Sequence, residues 1–370
     1  MEELKYWLWL TSIPGIGSIK ISKILQVFQN PKEVWNASKS DLKCVDVLND
    51  QDIANISSKN LDKAEKIFKD ISRLRIDVIT IRDERYPERL RNIYDPPGIL
   101  YVKGELPSCN IATVAVIGSR KASPYGINIA EKLSYQLAQR DIIIVSGAAR
   151  GIDTSAHRGA LKAGKKTVAV LGCGVDIVYP RENAELMRYI EKSGAIISEY
   201  PPGTHPSPAN FPARNRIISG LSCGVIVVEA GEKSGSLITV DFALEQGRDV
   251  FAVPGNIDSL YSKGSNNLIK QGAKIVTCIE DILEELPINN MELCNTNNSL
   301  KSKEYSMYGN LSDEEKVVIS HLSTTPVHID ELCRNLEYSV QKINAILTLL
   351  EMKGLISQIP GKYFVTTNQF

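Results

Sequence analysis

Four short segments of this chain gather glycine, hydroxyl and guanidinium residues in the way phosphate binding requires. The first is Gly118-Ser119-Arg120-Lys121-Ala122-Ser123. Glycine lets a backbone approach a ligand closely, and a helix N-terminus beyond it offers free N–H groups to an anion. Arg120 adds a fork of donors matched to phosphate, and Ser119 and Ser123 add hydroxyls. The second segment runs Ser146-Gly147-Ala148-Ala149-Arg150-Gly151-Ile152-Asp153 and on to His157. Asp153 stands where a helix N-cap belongs and His157 follows on the same face, a pair suited in principle to acid–base work. No serine or cysteine is placed to complete a triad, so the pair reads as scaffold and no catalytic residue is assigned.

The third segment, Asn210-Phe211-Pro212-Ala213-Arg214-Asn215-Arg216, puts an aromatic ring beside two arginines. A stacking surface for a base next to partners for phosphates is the combination that single-strand binding uses. On a helix Arg214 and Arg216 diverge by roughly 200°, so one is expected at the ligand and the other as a brace. Pro206, Pro208 and Pro212 around Phe211 predict a stiff loop there. The fourth segment, Glu229-Ala230 followed by Ser234-Gly235-Ser236-Leu237-Ile238-Thr239, reads as an anion nest opening a helix. A further turn, Pro254-Gly255-Asn256, closes the last strand of the set. The candidate binding residues are therefore Gly118, Ser119, Arg120, Ser123, Phe211, Arg214, Asn215, Arg216, Ser234, Gly235, Ser236, Thr239, Gly255 and Asn256. Several converging anion cradles with one aromatic suit a chain of phosphates better than one mononucleotide. A G-x-G-x-x-G fingerprint is absent, and the next strand ends in Ser146-Gly147 instead of an acid for a ribose hydroxyl, so no dinucleotide cofactor is expected.

Such loops need a sheet to carry them, and the hydrophobic pattern supplies one. Short apolar runs at 113–117, 142–146, 167–171, 195–198, 224–228 and 249–253 read as strands. Helical stretches lie between them at 125–140, 153–163, 181–192, 212–221 and 236–246. Near-continuous apolar strands alternating with helices imply an α/β, Rossmann-like parallel sheet with helices on both faces. In that architecture ligands bind at the carboxyl ends of the strands, where the four segments fall. This central domain is placed at 111–286.

On the N-terminal side, 1–75 reads as an all-helical domain, followed by a Pro-rich connector at 76–110 that includes a short strand at 76–81. Ile13-Pro14-Gly15-Ile16-Gly17, with a helix on each side, resembles a helix-hairpin-helix (SAM-like) unit, with Lys20 and Lys23 as its nearby cations. An Asn- and Ser-rich stretch at 287–310 reads as a linker. The last part, 311–370, has three helices and a ribbon, a winged-helix pattern. Its supposed recognition helix offers only Lys342 among residues 339–346, which favours an auxiliary or protein-contact role over groove reading.

Lys+Arg and Asp+Glu both number 43 in the 370 residues. A generally basic, histone-like binder is thereby excluded, and any nucleic-acid site must be a local patch. The seven cysteines are scattered without a C-x-x-C pair and only four histidines accompany them. No metal site is expected, and the set suggests reduced thiols in a cytoplasm. The start, MEELKYWLWLTSIPGIG, reads as the first helix of a domain and not a signal peptide, and no stretch approaches the ~18 apolar residues of a membrane span.

Taken in order, the motifs resemble the DNA-processing protein A (DprA) family, also called Smf. The resemblance is carried by Gly118-Ser119-Arg120 with Ser123, and by Ser146-Gly147 to Asp153 with Ala156-His157. Thr167-Val168-Ala169-Val170-Leu171-Gly172 follows, with Asp176, Tyr179-Pro180 and Asn183. Ser198-Glu199-Tyr200-Pro201-Pro202-Gly203, Phe211 to Arg216, Ser234 to Thr239 and Val253-Pro254-Gly255 complete the series. The resemblance implies a non-enzymatic, cytoplasmic homodimer that binds single-stranded DNA. It also implies protection of incoming strands in natural transformation and loading of a RecA-type recombinase onto them, which engages single-strand-binding protein indirectly. By motif match Ser119, Arg120, Ser123 and Phe211 would be DNA contacts, with Arg214 and Arg216 nearby. Some relatives carry a lysine shortly before the phenylalanine, whereas 205–210 here has none. Two other readings of these residues exist. A phosphoribohydrolase-like enzyme of the same superfamily would need a Pro-Gly-Gly-x-Gly-Thr-x-x-Glu signature, which residues 234–241 lack. A transcription factor using the winged helix is opposed by its weak recognition helix.

Overall fold

The computed structural model describes residues 2–108, 111–286, 312–322, 327–336, 338–353, 355–359 and 361–366. The chain divides into two compact units, Met1–Ile288 and Asn289–Phe370. The linker expected at 287–310 lies outside the described residues.

The first unit opens with six helices: α1 (Glu2–Ser12), α2 (Ser18–Val27), α3 (Pro31–Asn36), α4 (Lys39–Leu42), α5 (Asp50–Ser57) and α6 (Asp62–Leu74). Side-chain caps set the starts of α3, α4 and α5: Asn30 accepts from the Glu33 amide, and Ser38–Asp41 and Asn49–Asp52 form capping boxes. Lys20, one of the two cations of the expected hairpin, is bound to the buried Asp52 at 2.7 Å.

The segment 76–110 is no connector. It supplies β1 (Asp77–Thr80), α7 (Glu88–Arg91) and β2 (Ile99–Gly104), and both strands join the main sheet. The rest of the unit alternates strand and helix: β3 (Thr113–Ile117), α8 (Pro124–Gln139), β4 (Ile143–Ser146), α9 (Ile152–Lys162), β5 (Thr167–Val170), α10 (Ala184–Ser193), β6 (Ala195–Ser198), α11 (Asn210–Leu221), β7 (Gly224–Val227), α12 (Leu237–Glu245), β8 (Asp249–Ala252), α13 (Lys263–Lys270), β9 (Lys274–Ile275) and α14 (Glu280–Leu283). A short 3-10 turn, Arg181–Asn183, precedes α10.

The nine strands are ordered β1-β2-β6-β5-β4-β3-β7-β8-β9. β6 through β9 run parallel, while β2 pairs antiparallel with both β1 and β6. Strands β4 to β7 are buried at every position, which is why they read as near-continuous apolar runs. Alternate residues sort into different cores. Leu100, Ala115, Val145, Val168 and Ile197 meet one face under α11 and α12. On the other face Tyr101, Ala169 and Ile196 pack with Trp7, Trp9 and Leu10 of α1, and Val114, Val116 and Ile144 pack with Ala130 and Ala156 of α8 and α9. The helical N-terminal segment thus covers part of one sheet face. Successive connections wind to opposite sides of β3, so β3 and β7 form the switch point where an open parallel sheet leaves a crevice.

The second unit contains α15 (Asp313–Ser320), β10 (Val327–His328), α16 (Ile329–Leu336), α17 (Val340–Met352), β11 (Ile356–Ile359) and β12 (Tyr363–Thr366), with sheet order β10-β12-β11. Val318, Leu332, Ile343, Leu347, Leu350 and Phe364 form its core, in a winged-helix arrangement. Lys342, the lone cation of the supposed recognition helix, is held 2.7 Å from Glu314 and lies over the Tyr338 ring. Among the described residues no helix is long and apolar enough to cross a membrane, and no group of three or more His, Cys, Asp or Glu is placed to hold a metal.

Candidate nucleic-acid interface

The loops after β3, β4 and β7 and the first turns of α11 and α12 border one open groove of about 520 Å³. Its walls include Gly118, Ser119, Arg120, Phe211, Arg214, Asn215, Ser234, Gly235, Ser236 and Thr239, ten of the candidates read from sequence. Lys121, Ala149, Tyr179, Pro208 and Ile238 also line it and were not among those candidates. Arg120 and Lys121 are exposed, and among the described residues no carboxylate pairs with either. Ser119 shapes their loop: its hydroxyl accepts from the Lys121 amide at 3.1 Å, and its own amide donates to the Glu229 carbonyl at 2.7 Å.

Ser123 is not at the groove. It caps α8, its hydroxyl accepting from the Gly126 amide and donating to Glu229. The Glu229 carboxylate also accepts from the Ser123 amide at 2.9 Å. A Cβ at Gly126 would fall 2.3 Å from a Glu229 carboxylate oxygen, so only glycine admits that carboxylate at this helix start. The α8 N-terminus, which the sequence offered as an anion site, is thus filled from within. A pyrophosphate cannot take the place it holds in dinucleotide-binding Rossmann folds.

The two arginines of α11 are both buried. Arg216 donates to Asp95 at 2.7 Å, to both oxygens of Glu199 at 2.8 and 2.7 Å and to the Ala213 carbonyl at 3.1 Å, so its fork is engaged outside the groove walls. Arg214 does reach the groove floor, but its Nη1 donates to the carbonyls of Gly147 and Val170. Burial pulls its guanidinium down to about 10, with the charge of Arg120 acting in the same direction and Asp153 opposing. Gly255 and Asn256 also stay out of the groove walls. Asn266 clamps Gly255 through both its amide and carbonyl, and Asn256 accepts from the Asp258 amide.

Phe211 lies in the first turn of α11 and not in a loop. Pro212 is tolerated there because the first amides of a helix have no intrahelical partner. The ring is half-buried, with the Arg120 guanidinium 5.4 Å from its centroid and the Tyr179 ring 5.5 Å away at 31°. Tyr179 could have been found from the sequence: it stands beside Pro180 in a motif the resemblance already used.

Asp153 is not the cap of α9. Gly151 holds that position at φ 74°, and Asp153 accepts from the Ala149 amide at 3.2 Å. Burial pushes its carboxyl up while the Arg214 charge opposes. His157 is fully buried and bonds through Nδ1 to the Thr167 hydroxyl at 2.8 Å. Because that hydroxyl donates to the Ile144 carbonyl, Nδ1 is the donor. Burial first, then the Arg214 charge, lowers the imidazole to about 3 from its ordinary 6.5. The folded chain therefore binds fewer protons here than the unfolded one below that ordinary value. His157 contributes stability that is complete above pH 6.5 and declines as pH falls toward 3. Its share of the slope reaches about 1.4 kcal/mol per pH unit. The raised carboxyl of Asp153 works in the opposite direction, so the comparison that isolates His157 is wild type against His157→Gln. Urea midpoints measured from about pH 7.5 to about pH 4.5 should fall more steeply for the wild type. Parallel curves would remove the histidine from the account.

These features define an α/β class of Rossmann-like chains with an open, cation-edged groove at the switch point. The model of the DNA recombination-mediator protein A family matches residues 77–287, and that of the DprA winged helix domain matches residues 308–362. Protein Smf of Synechocystis sp. is 31% identical over 389 residues, covering 97% of this chain and 98% of its own. The DNA processing protein DprA of Streptococcus pneumoniae is 50% identical over 206 residues, 56% of this chain and 73% of its own. The X-ray structure of DNA processing protein A from Streptococcus pneumoniae aligns with TM-score 0.65 at 38% identity, over 76% of this chain and 96% of that one. DNA processing protein A of Helicobacter pylori, whose structure is described for its single-stranded DNA binding mode, aligns with TM-score 0.51 at 30% identity, over 56% of this chain and 94% of that one. The chain belongs to the DNA recombination-mediator protein A family.

Proposed function

We propose that this protein binds single-stranded DNA along the groove without reading its sequence, and serves recombination by covering the strand and passing it to a RecA-type recombinase. The observation that carries the binding is the pair Arg120 and Lys121, exposed at the groove edge with no carboxylate partner among the described residues, next to the rings of Phe211 and Tyr179. Free cations attract a phosphate chain and aromatic faces take bases of any sequence. No element of the groove has the shape of a major-groove reader. The role is non-enzymatic: Asp153 and His157, the acid–base pair that the sequence offers, are buried and engaged in hydrogen bonds within the fold. By family resemblance the chain works in the cytoplasm as a homodimer, and meets single-strand-binding protein only through the strand they share.

A mobility-shift titration with oligo-dT, duplex DNA and nucleoside monophosphates, each at two salt concentrations, tests the reading. Oligo-dT should bind most tightly and lose affinity as salt rises. Tighter binding of duplex or of mononucleotides would overturn it. Arg120→Ala should weaken oligo-dT binding and flatten the log–log salt slope by roughly 0.7, the equivalent of one phosphate on a single strand. A folded variant with the wild-type slope would make Arg120 structural.

A further inference from the structure

Phe211 is the one aromatic that the sequence marks as a base platform, yet its surface is largely taken. Against Gly172 it packs so closely that a Cβ there would come within 3.0 Å of Cδ1 and 3.3 Å of Cε1. The Arg120 guanidinium stands over the ring at 5.4 Å, and Tyr179 meets it at 5.5 Å with an interplanar angle of 31°. Three neighbours crowd this ring. Tyr179, in contrast, is 40% exposed and borders the same groove. Its hydroxyl has no hydrogen-bond partner among the described residues, and its ring packs on Phe211. A base entering the groove meets an open π-surface on Tyr179 and an occupied one on Phe211.

We propose that Tyr179 is the outer stacking surface for a nucleobase, with Phe211 as its backing ring and Arg120 alongside for the neighbouring phosphate. The inference rests on the single-strand reading above and assigns the base contact to a different side chain. A base on Tyr179 adds a third ring to the tilted pair that Tyr179 makes with Phe211, within the centroid distances that aromatic contacts favour. It also leaves the Arg120 guanidinium on Phe211, where the ring holds it in position for the strand. The ring of Tyr179 is then its working part and the hydroxyl is dispensable.

The test uses the full chain, fluorescein-labelled oligo-dT and an abasic strand of the same length, at two salt concentrations. Tyr179→Phe should bind oligo-dT within about twofold of wild type, because the stacking face is kept. Tyr179→Ala should bind it roughly ten- to a hundredfold more weakly, with an unchanged salt slope, because no phosphate contact is lost. Tyr179→Leu keeps bulk beside Phe211 without a π-face and should lose as much as Ala. Wild type and Tyr179→Ala should bind the abasic strand alike. A Tyr179→Trp chain, read against the background of Trp7, Trp9 and Trp35, should be quenched by oligo-dT and not by the abasic strand. The proposal is overturned if wild type binds oligo-dT and Tyr179→Ala or Tyr179→Leu binds it equally well. It is also overturned if the Ala variant loses as much on the abasic strand, since a distorted groove would do that. Failure of the wild type to bind oligo-dT is a separate result that removes the single-strand reading and this inference together.

Discussion

Arg216→Met should lower the free energy of unfolding by about 3–5 kcal/mol while leaving the strand affinity of the folded protein unchanged. The side chain is 5% exposed and its guanidinium bridges Asp95, in the loop before β2, to Glu199, just beyond β6. Removing it leaves two half-buried carboxylates, 24% and 18% exposed, facing each other with no cation between them. The cost of a buried pair broken on one side exceeds what the intact pair contributes. Methionine restores the bulk, so the loss reports the charge and not a cavity. Urea unfolding gives the stability, and oligo-dT titration of the folded variant gives the affinity. A variant of wild-type stability with weakened DNA binding would show that Arg216 turns toward the strand.

Glu229→Ala should cost about 2–4 kcal/mol, from the loss of a helix-start acceptor and the stranding of the Ser123 amide and hydroxyl. A second effect distinguishes this change from ordinary core damage. With the carboxylate gone, the start of α8 regains the open amides and positive dipole end that attract anions. Inorganic phosphate at millimolar concentration should therefore raise the melting temperature of Glu229→Ala more than that of the wild type. Equal phosphate responses in the two proteins would mean that the carboxylate is not filling an anion site.

Most strands were legible because a strand buried on both faces must be apolar throughout; the runs at 113–117 and 195–198 agree with the structure at both ends. β2 was equally apolar over Ile99–Val102 but was read as connector because prolines flank it. The walls of the groove followed from the rule that places loops at strand ends. What was not legible depended on partners remote in sequence. Glu229 is 106 residues from Ser123, and Arg216 is 17 and 121 residues from Glu199 and Asp95. Nothing in a local window separates an arginine that will be sealed by distant acids from one that will be left free. Phe211 was placed in a loop because prolines usually break helices, and at a first turn they do not.

The antiparallel β2 also decides where this protein can be cut. Trimming the chain to its alternating strand–helix part, from residue 111 onward, would strip Tyr101 to Gly104 from β6 and lay bare a mostly apolar edge, Ala195 to Ile197, of the parallel sheet. It would also uncover Ala169 and Ile196, which Trp7, Trp9 and Leu10 help to bury. An unpaired hydrophobic edge recruits strands from other molecules. Such a fragment would therefore aggregate before any strand could be offered to it, and the shortest soluble version of the groove has to keep the residues that precede it.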